Sequence, residues 1–176
     1  MGGSQGAHAI NEAIVGALPH LVEFSDQIQI VHQTGAMEVE KVQAAYDRTI
    51  ASREGFLYCV KSFFDTVEEI YSIADVMVCR AGGMTIAEVT ACGIPAIFIP
   101  LPSQTGNNQV LNAHTVAEAG AAVVLEQGTF TVDILVKNLI NMTLDGNIHE
   151  WMVTASRALG KPYASDDNAK SILSYA

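Results

Sequence analysis

A short β-prone run, Val76-Met77-Val78-Cys79, passes through Arg80-Ala81-Gly82-Gly83 directly into the helix-forming stretch Met84-Thr85-Ile86-Ala87-Glu88. A strand that ends in glycines and opens at once into a helix is a unit of parallel α/β sheets, because the helix must return the chain across the face of the sheet. The N–H groups in the first turn of that helix have no partner within it, and the positive end of the helix dipole points the same way. Such a point holds an anion, and its setting above a sheet suits a nucleotide diphosphate. Thr85 and Glu88 have the Thr-x-x-Glu spacing of a capping box, which would put both at the mouth of the helix, near the anion.

The rest of the chain repeats the unit. Strands are expected at Gln27 to His32, Phe56 to Lys61, Val76 to Arg80, Ala96 to Ile99 and Ala121 to Leu125, alternating with helices at about 8 to 22, 37 to 48, 66 to 73, 84 to 92 and 109 to 119. The class is therefore α/β, a Rossmann-like parallel sheet with helices on both faces. From Thr131 the pattern is helical to the end, broken near Asp145-Gly146 and Gly160-Lys161-Pro162. One domain is expected over 1–176, with a Rossmann-like core at 1–128 and a helical tail at 129–176.

With 49% hydrophobic and 16% charged residues the chain can bury a substantial core. A formal net charge of -10 repels phosphate backbones and anionic headgroups, so neither nucleic acid nor direct membrane contact is expected of this domain. An anionic ligand must then be held locally by helix-end amides. No apolar run is long enough to cross a bilayer and no signal segment opens the sequence, so a cytoplasmic setting is expected. Cys59, Cys79 and Cys92 lie in apolar segments without metal-ligand spacing and are expected to be buried, reduced thiols. The five histidines, at 8, 20, 32, 114 and 149, are too scattered for a metal site.

The sequence opens Met1-Gly2-Gly3-Ser4-Gln5-Gly6-Ala7 and enters a helix, which makes a glycine turn with no strand before it. In a doubly wound sheet the first strand is central, and its loss leaves unpaired edges on two neighbours. The sheet is thus expected to lack its first strand, as in a piece of a longer protein. Closure of the gap by its neighbours, strand donation by a second copy and a disordered glycine turn are the three outcomes open to it.

Three motifs occur in order: Gly-Gly-Ser-Gln-Gly-Ala at 2 to 7, Cys79 to Glu88 with Gly93-Ile94-Pro95-Ala96 after it, and Pro100-Leu101-Pro102 followed by Asn107-Asn108-Gln109 and Asn112-Ala113. Together they resemble the C-terminal, donor-binding domain of the MurG family of peptidoglycan N-acetylglucosaminyltransferases, from Gly2 to roughly Leu125. The resemblance implies the C-terminal half of a GT-B glycosyltransferase, which holds UDP-N-acetylglucosamine across a cleft from an N-terminal acceptor domain absent here. It further implies that Ser4 contacts the diphosphate, that Gly83, Met84 and Thr85 supply backbone donors, and that Glu88 binds the two ribose hydroxyls. Phe64 falls where the backbone recognises the uracil edge, and Asn108 and Gln109 match the pair that reads the sugar hydroxyls. In the family the first residue of that pair is commonly His or Gln, longer than Asn108, and Phe64 is bulkier than the aliphatic residue sometimes found at its position. Arg80 agrees with the family.

The implied reaction inverts the donor sugar onto a lipid-linked muramoyl-pentapeptide, lipid I to lipid II, at the cytoplasmic face of the membrane. The lipid acceptor is reached through the missing domain, which also carries the general base, so no catalytic residue is expected in this chain. With no Asp-x-Asp element at a strand end, neither a metal nor a cofactor is expected. Each residue also has a plainer reading: Glu88 as a capping carboxylate, Ser4 as an N-cap, Arg80 paired with a surface carboxylate, Asn107-Asn108 as a turn, and one of Phe63 and Phe64 facing the core. A stand-alone donor-binding subunit and a non-catalytic UDP-sugar-binding module are the alternative functions. Gly2 to Ala7 is neither a dinucleotide fingerprint nor a P-loop.

Overall fold

The computed structural model describes residues 1, 6–51, 55–102 and 108–174. In chain order it has α1 (His8–Leu21) with a 3-10 turn after it, β1 (Ile30–Gln33), α2 (Val39–Ile50), β2 (Tyr58–Lys61), α3 (Val67–Ile73), β3 (Met77–Cys79), α4 (Gly83–Cys92), β4 (Ala96–Phe98), α5 (Gln109–Glu118) and β5 (Ala122–Val124), then α6 (Val132–Leu144), α7 (Gly146–Leu159) and α8 (Ala164–Leu173). Every expected element forms, and the expected bounds differ from these by no more than a few residues at either end. Among the described residues all ladders are parallel: β1 with β2, and β3–β4–β5 in that order.

Strand alternation divides the core between the two faces. Ile97 and Ile99 point into one apolar cluster with Ile10, Ala17 and Leu18 of α1 and Leu135 and Met142 of α6. Ala96 and Phe98 point into the other, with Met77, Cys79, Val89 of α4, Ala113 and Val116 of α5, and Ala155 and Leu159 of α7. The tail helices therefore cover the sheet: α6 packs on α1, and α7 on α4. Gly160 lies so close to α4 that a Cβ there would come within 2.4 Å of the Thr90 carbonyl oxygen. Of the thiols only Cys79 is buried; Cys92 is exposed and Cys59 half-buried, because the last turn of α4 and the β2 edge are open to water.

Among the described residues no ladder joins β1 to β3. Both line one cavity of about 210 Å³, with Ile10 and Ile14 of α1 on one side and Ile70 and Ile73 of α3 also on its wall. The gap lies at the central position expected for the first strand, and the neighbouring strands do not close it. The Met1 nitrogen already donates to the Val78 carbonyl oxygen at 2.5 Å, on the β3 edge that faces this gap.

Candidate functional site

The C-terminal ends of the strands deliver the site residues to one side of the sheet, where parallel α/β folds bind ligands. Gly82 caps α4 with extended backbone and no side-chain hydrogen bond, and the first bond of the helix runs from the Ile86 N–H to the Gly82 carbonyl at 2.9 Å. The N–H groups of Gly83, Met84 and Thr85 thus have no partner inside the helix. Thr85 is the third residue of the helix rather than its cap, so the capping box expected from the sequence does not form. Nor does the fold require glycine here. Neither Gly82 nor Gly83 has a positive φ. A Cβ on Gly83 would meet nothing within 4 Å, and one on Gly82 only the Thr85 hydroxyl at 3.9 Å. The bare backbone leaves open space at the point where an anion would approach.

That space belongs to a cavity of about 520 Å³ lined by Gly6, Gln33, Phe64, Arg80, Gly82, Thr85, Glu88 and Gln109, among others. Gly6, two residues before α1, has φ +76 and rests against the turn after β1, where a Cβ would fall 2.1 Å from the Thr34 carbonyl oxygen. α1 likewise starts without a side-chain cap, so two uncapped helix starts border one cavity. Freed from capping, the Glu88 carboxylate accepts a hydrogen bond from the Tyr71 hydroxyl at 2.7 Å. Arg80 donates to the Ile99 carbonyl oxygen at 2.7 Å rather than pairing with a carboxylate. Gln109 accepts from the Leu101 N–H at 3.1 Å, and Gln33 accepts from the Phe64 N–H at 3.3 Å.

The structure therefore gathers Phe64, Thr85, Glu88 and Gln109 around one cavity, with the first-turn amides of Gly83 and Met84 at its helix start. The Met84 side chain is 75% exposed. Asn108 is exposed, makes no side-chain cap bond to α5 and does not line the cavity. Ser4 and Asn107 lie outside the described residues. Neither Phe63 nor Phe64 is buried: Phe63 is 50% exposed, and the Phe64 ring lies 5.3 Å beneath the Lys61 ammonium. Tyr71 and Gln33 went unnoticed in the sequence. Tyr71 meets Glu88 from a separate helix 17 positions away, which no local spacing rule captures, whereas Gln33, at the end of β1, could have been found from its strand-end position alone.

Behind the site, a buried polar network fixes the turn after β1. The Tyr46 hydroxyl and His32 Nδ1 lie 3.1 Å apart, and His32 Nε2 is 3.0 Å from Asn11 Oδ1. Asn11 Nδ2 donates to the Thr34 carbonyl at 3.0 Å and to Glu38 at 2.6 Å. Since Oδ1 can only accept, His32 Nε2 carries the proton and Nδ1 accepts from Tyr46. Burial drives the His32 pKa down to about 3, keeping the ring neutral. Among the described residues no three His, Cys, Asp or Glu side chains form a metal-binding group.

A family model for the glycosyltransferase family 28 C-terminal domain matches residues 1–167. The chain belongs to this family. A relative from Anaeromyxobacter dehalogenans (strain 2CP-C), a UDP-N-acetylglucosamine--N-acetylmuramyl-(pentapeptide) pyrophosphoryl-undecaprenol N-acetylglucosamine transferase, is 40% identical over 168 residues, 96% of this chain and 43% of the relative. One of the same name from Syntrophus aciditrophicus (strain SB) is 39% identical over 172 residues, 98% of this chain and 46% of the relative. The chain thus spans less than half the length of these relatives. The crystal structure of Acinetobacter baumannii MurG matches it with a TM-score of 0.81 and 32% identity, over 99% of this chain and 50% of that one. The co-structure of S. aureus MnaA with UDP shares the fold at a TM-score of 0.67 and 16% identity. Both the Rossmann-like fold and the resemblance expected from the motifs are borne out, and the chain is the C-terminal, GT-B-type domain of a MurG-like protein.

Proposed function

We propose that this chain is the donor-binding half of an inverting transferase that moves N-acetylglucosamine from UDP-N-acetylglucosamine to lipid-linked muramoyl-pentapeptide. The observation that carries the reading is the cavity itself: uncapped helix-start amides beside glycines that the fold does not require, with a carboxylate turned toward the same space. In this reading the amides of Gly83, Met84 and Thr85, together with Ser4, hold the diphosphate. Glu88 accepts hydrogen bonds from the ribose hydroxyls. Uracil lies against the backbone at Phe64, whose carbonyl accepts from the base while its N–H is shared with Gln33. Gln109, with Asn108, reads the sugar hydroxyls.

The reaction forms a bond from the acceptor hydroxyl to the anomeric carbon and breaks the bond from that carbon to the β-phosphate oxygen. Negative charge builds on the departing diphosphate, where amides already oriented by α4 stabilise it without reorganising. The acceptor lipid and the base that takes the hydroxyl proton are assigned to an N-terminal domain at the cytoplasmic face of the membrane. Among the described residues of this chain, no helix is long and apolar enough to cross a membrane.

Titration calorimetry with UDP, ADP and GDP tests the donor assignment. UDP is expected to bind most tightly and UDP-N-acetylglucosamine at least as well, while equal affinities for the three diphosphates would overturn it. The 176-residue chain is expected to show no transfer to lipid-linked acceptor without the facing domain.

A further inference from the structure

The Glu88 side chain leaves α4 at its sixth residue, too far along the helix to satisfy the helix start, and is held from outside that helix. Its Oε2 accepts the Tyr71 hydroxyl at 2.7 Å, while among the described residues Oε1 has no hydrogen-bond partner. Both residues line the cavity. An ionised carboxylate offers about four acceptor positions, so one bond from tyrosine leaves room for two hydroxyl donors. Burial, reinforced by the neighbouring carboxylate, raises the Tyr71 pKa and keeps its hydroxyl a donor at neutral pH. α3, which carries Tyr71, packs against α4. A glutamate left to rotate about its side-chain bonds would lose that freedom on meeting a ligand; one already tied to Tyr71 has lost it on folding.

We propose that Tyr71 is a positioning residue that fixes the Glu88 carboxylate in the orientation needed to accept a vicinal diol. The proposal rests on the ribose-binding reading of Glu88 and gives it a cause in the fold. Tyr71 itself makes no contact with the nucleotide in this account; its effect passes entirely through Glu88.

The test compares UDP with 2′,3′-dideoxy-UDP, which lacks the two hydroxyls, by calorimetry on the chain and on Tyr71→Phe. The unmodified chain is expected to favour UDP by about tenfold or more, and Tyr71→Phe to shrink that ratio roughly three- to fivefold while leaving affinity for the dideoxy nucleotide unchanged. A loss of affinity for both nucleotides in equal proportion would mark Tyr71 as merely structural and overturn the proposal, as would an undiminished ratio. No preference for UDP in the unmodified chain would instead overturn the ribose-binding reading of Glu88, and the proposal with it. Circular dichroism and melting establish that the variant is folded; should Tyr71→Phe fail to fold, Tyr71→Leu, which also lacks the hydroxyl, is read by the same ratio.

Discussion

Filling the gap between β1 and β3 with a strand should stabilise the chain markedly. Ile30 N–H donates to the Leu57 carbonyl and Thr34 N–H to the Lys61 carbonyl, so by alternation Val31 turns its backbone groups away from β2 and toward the gap. On the other side Met77 N–H donates to the Pro95 carbonyl and Cys79 accepts from Ile99, which turns Val76 and Val78 toward the gap. The perturbation is a chain extended upstream of Met1 by four apolar, β-branched residues. Four or five new hydrogen bonds are worth about 1 kcal/mol each. The side chains entering an apolar cavity add about 2 kcal/mol each. Ordering the four residues costs about 2 kcal/mol apiece. The net gain is about 4–5 kcal/mol, which for a domain of this size raises Tm by roughly 10–15 °C. Thermal melting reads the shift against a control extended by Gly and Ser, and light scattering reads self-association, which unpaired edges promote. An apolar extension that melts no higher than the control would refute the reasoning and show that the gap is not a strand site.

Glu88→Gln should weaken UDP binding by about 1.5–3 kcal/mol in calorimetry, from the loss of charge-assisted bonds, with Tm nearly unchanged because Glu88 caps no helix. Gly83→Ala should leave Tm unchanged or slightly raised, since a Cβ there meets nothing within 4 Å, yet should reduce UDP affinity at least tenfold by crowding the approach to the amides. His32 has a folded pKa, about 3, below its unfolded value, so the unfolded chain binds a proton first and stability falls as pH drops from 6.5 toward 3. Between pH 7 and pH 4 this loss is about 3 kcal/mol, measured as the extra fall in unfolding free energy from urea titrations at the two pH values relative to His32→Gln; equal falls would count against a neutral buried His32.

Local rules carried most of the fold. The β-branched run before Arg80 and the paired glycines after it announced a strand feeding a helix, and each of the other runs repeated that unit on the same scale. The first turn of α4 shows where such rules stop. Thr85 and Glu88 have the spacing of a capping box, but a box needs Thr85 outside the helix, and the extended backbone of Gly82 starts the helix three residues sooner. Glycine at that cap is not required by its extended backbone, but it strips the helix of a side-chain competitor for its amides. The pairings of Glu88, Phe64 and Arg80 were illegible for another reason, even where a strand end marks the partner as it does Gln33: Tyr71, Gln33 and the Ile99 carbonyl come from different elements, and only the packing of α3 on α4 and the order of the strands brings them near. The same holds for His32 and Asn11, 21 residues apart and joined by folding alone.

An acidic chain that holds a doubly charged group faces long-range repulsion, since its net charge of -10 raises the cost of bringing any anion near. Salt screens that repulsion over about 10 Å, whereas the first-turn amides act at contact distance, where screening is weak. The opposing terms therefore separate by range: added salt removes the repulsion and leaves most of the attraction. Such a site gains affinity from moderate salt, unlike one built of lysines, and it excludes polyanions whose charge extends beyond the cavity. In the proposed transfer, charge on the leaving group would develop where the protein's field is local and oriented, with Arg80 tied to the Ile99 carbonyl at the cavity wall rather than neutralised by a carboxylate. In the proposed donor site, diphosphate binding and leaving-group stabilisation would thus share one physical source, the direction in which α4 begins, while the choice of base would rest on the backbone at Phe64.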